Sequence, residues 1–258
     1  MMKIAIMGAA GRMGQTIFSL AKNDKDIEIS GAFECDKNSQ IYTENSSILP
    51  ACQLEKALVL TEVIIDFTNP ESSLKTIDLA EKSNVAIILG TTGFTEKQHE
   101  IITKAAKSIP VLLSPNMSVG VNILFKLIQE AVKIIPHYDI EIVELHHNKK
   151  KDAPSGTALK LAEIAAKSIG KNINEVGIYG RKGITGERAE AEIGVMSVRA
   201  GDIVGDHTVY LAGPGERIEL THRAHSRDAF AAGAIRAAKW IAKKPAGLYD
   251  MSDVLALK

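Results

Sequence analysis

Cysteine is scarce in this 258-residue chain. Cys35 and Cys52 are the only two, too few for a disulfide framework and without metal-site spacing. A reducing, cytoplasmic setting is the expectation. An excess of one charge is also lacking, with 31 Lys+Arg against 31 Asp+Glu. A general nucleic-acid binder usually carries a basic surplus, so none is expected as a partner, and charge here must act locally. No stretch reaches the roughly 18 uncharged apolar residues that a membrane helix needs. The opening "MMKIAIMGAAGRMG" is apolar too briefly for a secretory signal. Repeats and low-complexity tracts are absent. These absences leave a chain long enough for one large packed domain or two modest ones.

What is present is an alternation of short β-rich runs and helical patterns. "KIAIMG", "IEISGAFE", "EVIIDFT", "VAIILGTTG" and "PVLLSPN" read as strands. "MGQTIFSLAKN", with Met13, Ile17, Leu20 and Ala21 on one face, reads as a helix, as do "ESSLKTIDLAEKS" and "EKQHEIITKAAKS". The polar stretch from Cys35 to Gln53 reads as loop with some helix. Strand–helix alternation predicts an α/β fold, a Rossmann-like doubly wound parallel sheet. The pattern then changes. "GVNILFKLIQEAVKII" is an amphipathic helix, "YDIEIVELHH" alternates as a strand, and "TALKLAEIAAKSI" is a helix. From Glu190 to His222 the chain is mostly strand, which predicts a second, α+β domain with a mixed or antiparallel sheet. "DAFAAGAIRAAKWIAKK" is a helix free to rejoin the first domain, and "GLYDMSDVLAL" is a short closing element. The expected division is 1–117 with 228–258 for dinucleotide binding, and 118–227 for substrate binding and assembly.

"GAAGRMG", Gly8 to Gly14, lies between the first strand and the first helix. The usual dinucleotide fingerprint is G-x-G-x-x-G; here Ala10 holds the middle position. Small residues still allow a pyrophosphate to approach the backbone, and the helix N-terminus offers free N–H groups. Gly8, Ala9, Ala10, Gly11, Arg12 and Met13 are therefore candidate cofactor residues. Glu34 closes the second strand about twenty residues on, where a carboxylate would bond the ribose hydroxyls. Gly90, Thr91 and Thr92 end another parallel strand and are candidates for the same crevice.

"ELHHNKKKDAPSGTALKLA" packs two histidines, three lysines and an aspartate ahead of a Pro-Ser-Gly-Thr turn. A solvated basic turn is the plain reading of "HHNKKKD" alone. The turn that follows adds an anion site: Ser155 is the expected N-cap, and the N–H groups near Gly156 and Thr157 point out of the helix start. One lysine with that terminus suits one carboxylate, and His147 is the nearest donor for a second. Adjacent strand residues face opposite ways, so His146 and His147 share a pocket only if the strand has begun to turn. No metal is expected, because no third ligand stands at useful spacing.

"GAAGRMG", "DFT", "GTTG", "SVGVN", "HHNKKKDAPSGTA" and "RAGDIVGDHT" occur in this order. Together they closely resemble the 4-hydroxy-tetrahydrodipicolinate reductase (dihydrodipicolinate reductase) family of bacterial diaminopimelate–lysine biosynthesis, from about Lys3 to Leu257. The resemblance implies reduction of a cyclic imine dicarboxylate by NADH or NADPH, and a homotetramer built through the second domain's sheet. It implies that His146 is the general acid with Lys150 as its charged partner. His147, Lys150, Gly156 and Thr157 would bind substrate. Gly90 to Thr92 with Ser114, Pro115, Asn116 and Met117 would line the nicotinamide. Many relatives carry an aromatic residue where Met117 stands, and an arginine where this chain has Cys35. The second departure favours NADH, equal or preferred. Two other readings stand beside this one: a different two-domain Rossmann oxidoreductase, and an NAD(P)H-sensing regulator without turnover. Neither explains the "HHNKKKDAPSGTA" loop.

Overall fold

The computed structural model describes residues 1–34 and 47–258, and the chain divides into two compact units, Met1–Val119 with Arg227–Lys258, and Gly120–Ser226. In the first unit, seven strands form one sheet: β1 (Met2–Met7), β2 (Ile27–Glu34), β3 (Ile48–Pro50), β4 (Val63–Asp66), β5 (Ala86–Leu89), β6 (Pro110–Leu113) and β12 (Gly247–Tyr249). Their order is β12-β6-β5-β4-β1-β2-β3, and every neighbouring pair is parallel. Both faces of such a sheet are covered, so its central strands β1, β4 and β5 are mostly apolar. The side-chain period of two then sends alternate residues into different cores. Ile4, Ile6, Val63, Ile65 and Ile88 join one; Ala5, Met7, Ile64, Ile87 and Leu89 join the other.

Helix α1 (Arg12–Lys22) and helix α8 (Asp228–Ile241) cover the first of these cores, with Ile17 and Ala21 of α1 packed among Ala231, Ala234, Ala238 and Ile241 of α8. The C-terminal helix does return to the first unit. The chain then adds β12 beside β6 and ends in the helical turn α9 (Met251–Val254), whose Asp250 closes a capping box with Asp253. Two strands of this unit go beyond the sequence reading. β3 falls inside the stretch taken as loop, and β12 opens the segment taken as an undivided closing element. Each has three residues, too few for a periodic pattern to register. A short helix, α2 (Leu54–Leu58), was not read from the sequence, whereas the two longer helices between the strands begin within a residue of where expected. Asn69 caps α3 (Pro70–Ser83) ahead of Pro70 at its first position, and Thr95 and Gln98 close a capping box on α4 (Glu96–Ala105).

The second unit holds a five-stranded sheet in the order β11-β10-β7-β9-β8. These are β7 (Asp139–His146), β8 (Gly177–Ile178), β9 (Ile193–Arg199), β10 (Gly205–Gly213) and β11 (Glu216–Ala224). β7 is parallel to β9 and antiparallel to β10, so the sheet is mixed. Its core joins Ile140, Ile142, Val195, Val209 and Leu211 to Leu124, Ile128 and Val132 of α5 (Val119–Ile134) and to Leu161 and Ala165 of α6 (Gly156–Ser168).

Candidate functional site

In the first unit the strand order reverses between β1 and β4, the kind of switch point at which ligands meet such sheets. Gly8 follows β1 at φ +77°, and a Cβ there would stand 2.8 Å from the Phe67 carbonyl oxygen that follows β4. Gly14 lies so close to the turn that a Cβ would fall 2.1 Å from the Gly8 carbonyl oxygen. The two glycines thus hold a tight strand-to-helix turn from both sides. Helix α1 starts after Gly11 with no side-chain cap and no acid in its first turn, which leaves its N–H groups for an anion. Arg12 is exposed beside them and Met13 is half-buried. Glu34 reaches the same turn, one of its oxygens accepting from the Ala10 amide at 3.1 Å. The residues around this turn fit a dinucleotide.

The loops after β4 and β5 are joined by a carboxylate that the sequence reading passed over inside "DFT". Asp66 is fully buried, and its Oδ1 accepts from the Thr68 amide (2.9 Å), the Thr68 hydroxyl (2.6 Å) and Ser73 (3.1 Å). Ser73 also bonds the Thr91 hydroxyl at 2.9 Å. Thr91 is therefore buried and engaged within the protein, while Thr92 is exposed. Burial pushes the Asp66 carboxyl above its ordinary range despite these donors. After β6, Ser114 is buried with its hydroxyl on the Asn116 carbonyl at 2.9 Å, and Pro115 is exposed. Met117 is 1% exposed and packs into the core with Ala231 and Ala234.

In the second unit, β7 sends every second residue inward: Ile140, Ile142, Glu144 and His146. The apolar face thus ends in a buried acid and a buried histidine. His146 Nδ1 lies 2.5 Å from Glu144 Oε2. Arg199, at the end of β9, grips the same carboxylate with two parallel bonds of 2.9 and 2.8 Å, and donates a third bond to the Asp152 carbonyl at 2.7 Å. The Ser155 amide donates to Glu144 Oε1 at 3.1 Å. Burial pushes the Glu144 carboxyl up, but hydrogen bonds from Arg199, His146 and Ser197 outweigh it and hold the group at about 2. Burial lowers His146; Glu144 opposes that shift, and the charges of Lys150 and Arg199 add to it. The His207 ring stands edge-on to His146 at 5.2 Å, with Nε2 3.0 Å from Ser155 Oγ. Burial, reinforced by the charge of His146, brings His207 down to about 3, so it stays neutral.

His146 ends β7, and the chain turns at once. The His147 amide bonds the Ile203 carbonyl at 2.8 Å, and the His147 side chain is half-buried. Of the three lysines, Lys149 and Lys151 are exposed, whereas the Lys150 side chain is 19% exposed and forks onto both Asp152 oxygens at 2.9 Å. The hydrogen-bonded partner of His146 is Glu144, and Lys150 acts on it through charge. Ser155 caps α6, its Oγ accepting from the Ala158 amide at 3.2 Å. Gly156 and Thr157 open the helix, and a Cβ on Gly156 would meet no atom within 4 Å.

The sequence reading missed Glu144 and Arg199. The alternation of "DIEIVELH" carries a signal for the first, since a residue two before His146 shares its face. Arg199 carries none, because only the β7–β9 register brings it close. Among the described residues, no group of three His, Cys, Asp or Glu side chains is placed to hold a metal, and no helix is long and apolar enough to cross a membrane.

Comparison with known proteins covers the whole chain. Residues 2–117 match the family model for the dihydrodipicolinate reductase N-terminus, and residues 120–255 the model for its C-terminus. The chain is 48% identical to the 4-hydroxy-tetrahydrodipicolinate reductases of Syntrophotalea carbinolica and of Trichlorobacter lovleyi, with full coverage of both sequences in each case. A dipicolinate-bound dihydrodipicolinate reductase from Paenisporosarcina sp. TG-14 superposes with a TM-score of 0.79 at 25% identity, covering 97% of each chain. The chain therefore belongs to the dihydrodipicolinate reductase family.

Proposed function

We propose that this protein is an NAD(P)H-dependent 4-hydroxy-tetrahydrodipicolinate reductase of diaminopimelate and lysine biosynthesis, converting a cyclic imine dicarboxylate to tetrahydrodipicolinate. The observation that carries the reading is full-length identity of 48% to a reductase of that name. Gly8 to Met13 and the uncapped start of α1 hold the pyrophosphate, and Glu34 the adenosine ribose. Gly90 to Thr92 and Ser114 to Met117 serve the nicotinamide half. When bound, the reduced nicotinamide supplies a hydride. Loss of the substrate's 4-hydroxyl as water gives the conjugated imine; hydride addition to it leaves negative charge on nitrogen or the neighbouring carbon, and His146 delivers the proton there. A dianion beside His146 raises its proton affinity, against the lowering by burial. Lys150 exchanges Asp152 for a substrate carboxylate, which the Gly156 and Thr157 amides also meet. His147 serves the other carboxylate.

NADH is used at least as well as NADPH, because Glu34 accepts from both ribose hydroxyls and opposes a phosphate there. The neighbouring Cys35, Asp36 and Lys37, which bear on this choice, lie outside the described residues. The assembly is a cytoplasmic homotetramer built through the second unit's sheet, where β11, among the described residues, has a strand neighbour on one side only. The test incubates purified protein with enzymatically generated substrate and each reduced cofactor, and follows nicotinamide absorbance. Turnover with NADH at least equal to that with NADPH is expected. No oxidation of either cofactor rejects the reaction, and a tenfold preference for NADPH rejects the cofactor choice alone.

A further inference from the structure

We propose that Glu144 is the positioning residue of the substrate site: one buried carboxylate sets both the tautomer of His146 and the placement of the α6 N-terminus. This rests on the reading of His146 as proton donor. An ionised carboxylate only accepts, and Glu144 is surrounded by donors: His146 Nδ1, the Ser155 amide, two from Arg199, and the Ser197 hydroxyl. Because Glu144 is ionised and can only accept, the neutral imidazole must carry its hydrogen on Nδ1. Nε2 is then the nitrogen that gains and gives the mobile proton. The facing backbone suits that role: a Cβ on Gly205 would stand 2.9 Å from Nε2. The second oxygen, Oε1, draws the Ser155 amide inward, and Ser155 caps the helix whose first amides are Gly156 and Thr157. The proton donor and the anion site thus hang from one anchor, and Arg199 fixes that anchor from the end of β9.

The charged and titratable groups that bear on His146 are Glu144 on β7, Lys150 in the following loop, Arg199 on β9, and His207 on β10. Glu144 is the only anion among them. Its loss therefore moves the His146 titration to lower pH.

The test has two parts. In the wild type, nitrogen-15 NMR correlation of the His146 ring should report the Nδ1–H tautomer; an Nε2–H tautomer overturns the proposal without any variant. In Glu144→Gln, the pH profile of kcat/KM should shift its acid-dependent limb downward by about one unit or more. kcat should fall roughly 10²-fold, within the range general acids supply, and binding of pyridine-2,6-dicarboxylate should weaken. Glu144→Asp, which keeps the charge, should restore the limb's position while recovering only part of kcat. A Glu144→Gln enzyme that loses stability but keeps the wild-type pH profile shows a merely structural carboxylate. Failure of the underlying reading looks different: His146→Gln would then turn over normally whatever Glu144 does.

Discussion

At the scale of single residues, the behaviour of His146 follows from competing neighbours. Burial lowers its proton affinity and Glu144 only partly restores it, so the free enzyme holds an acid stronger than an ordinary histidine. If the protonated form is the active one, kcat/KM is highest on the acid side and falls as pH rises. The apparent pKa should lie below the ordinary 6.5, because this parameter reports the free enzyme. His146→Gln should remove that limb and lower kcat roughly 10²-fold, with a smaller change in KM. A profile unchanged in that variant assigns the proton to another group. Lys150 makes the second residue-scale prediction. It alone of the three lysines is mostly covered, and its amine already holds a carboxylate. Lys150→Met should weaken pyridine-2,6-dicarboxylate inhibition at least tenfold, in line with about 1.5–3 kcal/mol for a charged hydrogen bond. Lys149→Met and Lys151→Met should leave it nearly unchanged, and equal losses from all three variants would point to a diffuse basic loop. The histidine and the lysine were legible in the sequence because they lie in one contiguous motif. The carboxylate that binds the histidine was not, although strand alternation placed it on the same face.

At the scale of elements, helix α6 separates fold from function with one methyl group. Gly156 has a negative φ, and a Cβ there meets nothing within 4 Å. Gly156→Ala should therefore leave the urea midpoint unchanged or slightly higher, since alanine is the better helix residue by up to about 1 kcal/mol. On the proposed reading, the same methyl stands where the first helical amide would receive a substrate carboxylate. Substrate KM should rise at least several-fold while the fold stays intact, and an unchanged KM would place the carboxylate elsewhere. Long elements were readable at this scale. β2, α3 and β7 follow their periodic patterns, and the β1–α1 turn is marked by its own glycines. What escaped was non-local or short: β3 and β12 are three residues each, and Arg199 reaches Glu144 only through sheet register.

At the scale of the whole molecule, β11 is an edge strand nine residues long, with much of its surface exposed. Long bare edges are templates for further pairing, and proteins cover or blunt them. Light scattering at micromolar concentration should return the mass of four chains, and a monomer mass would refute the proposed assembly. The last consequence concerns the order in which the chain leaves the ribosome. The first unit is completed by Arg227–Lys258, which is made after the whole of the second unit. Until then Ile4, Ile6 and Ile17 await Ala231, Ala234 and Ile241, while every residue of the second unit has already been synthesised. At about 5–20 residues per second, the gap lasts several seconds or more. The nascent N-terminal half should therefore engage chaperones, and a stop codon at Arg227 should yield insoluble protein. Soluble, cofactor-binding product from that truncation would show that α8 is dispensable to the core it covers.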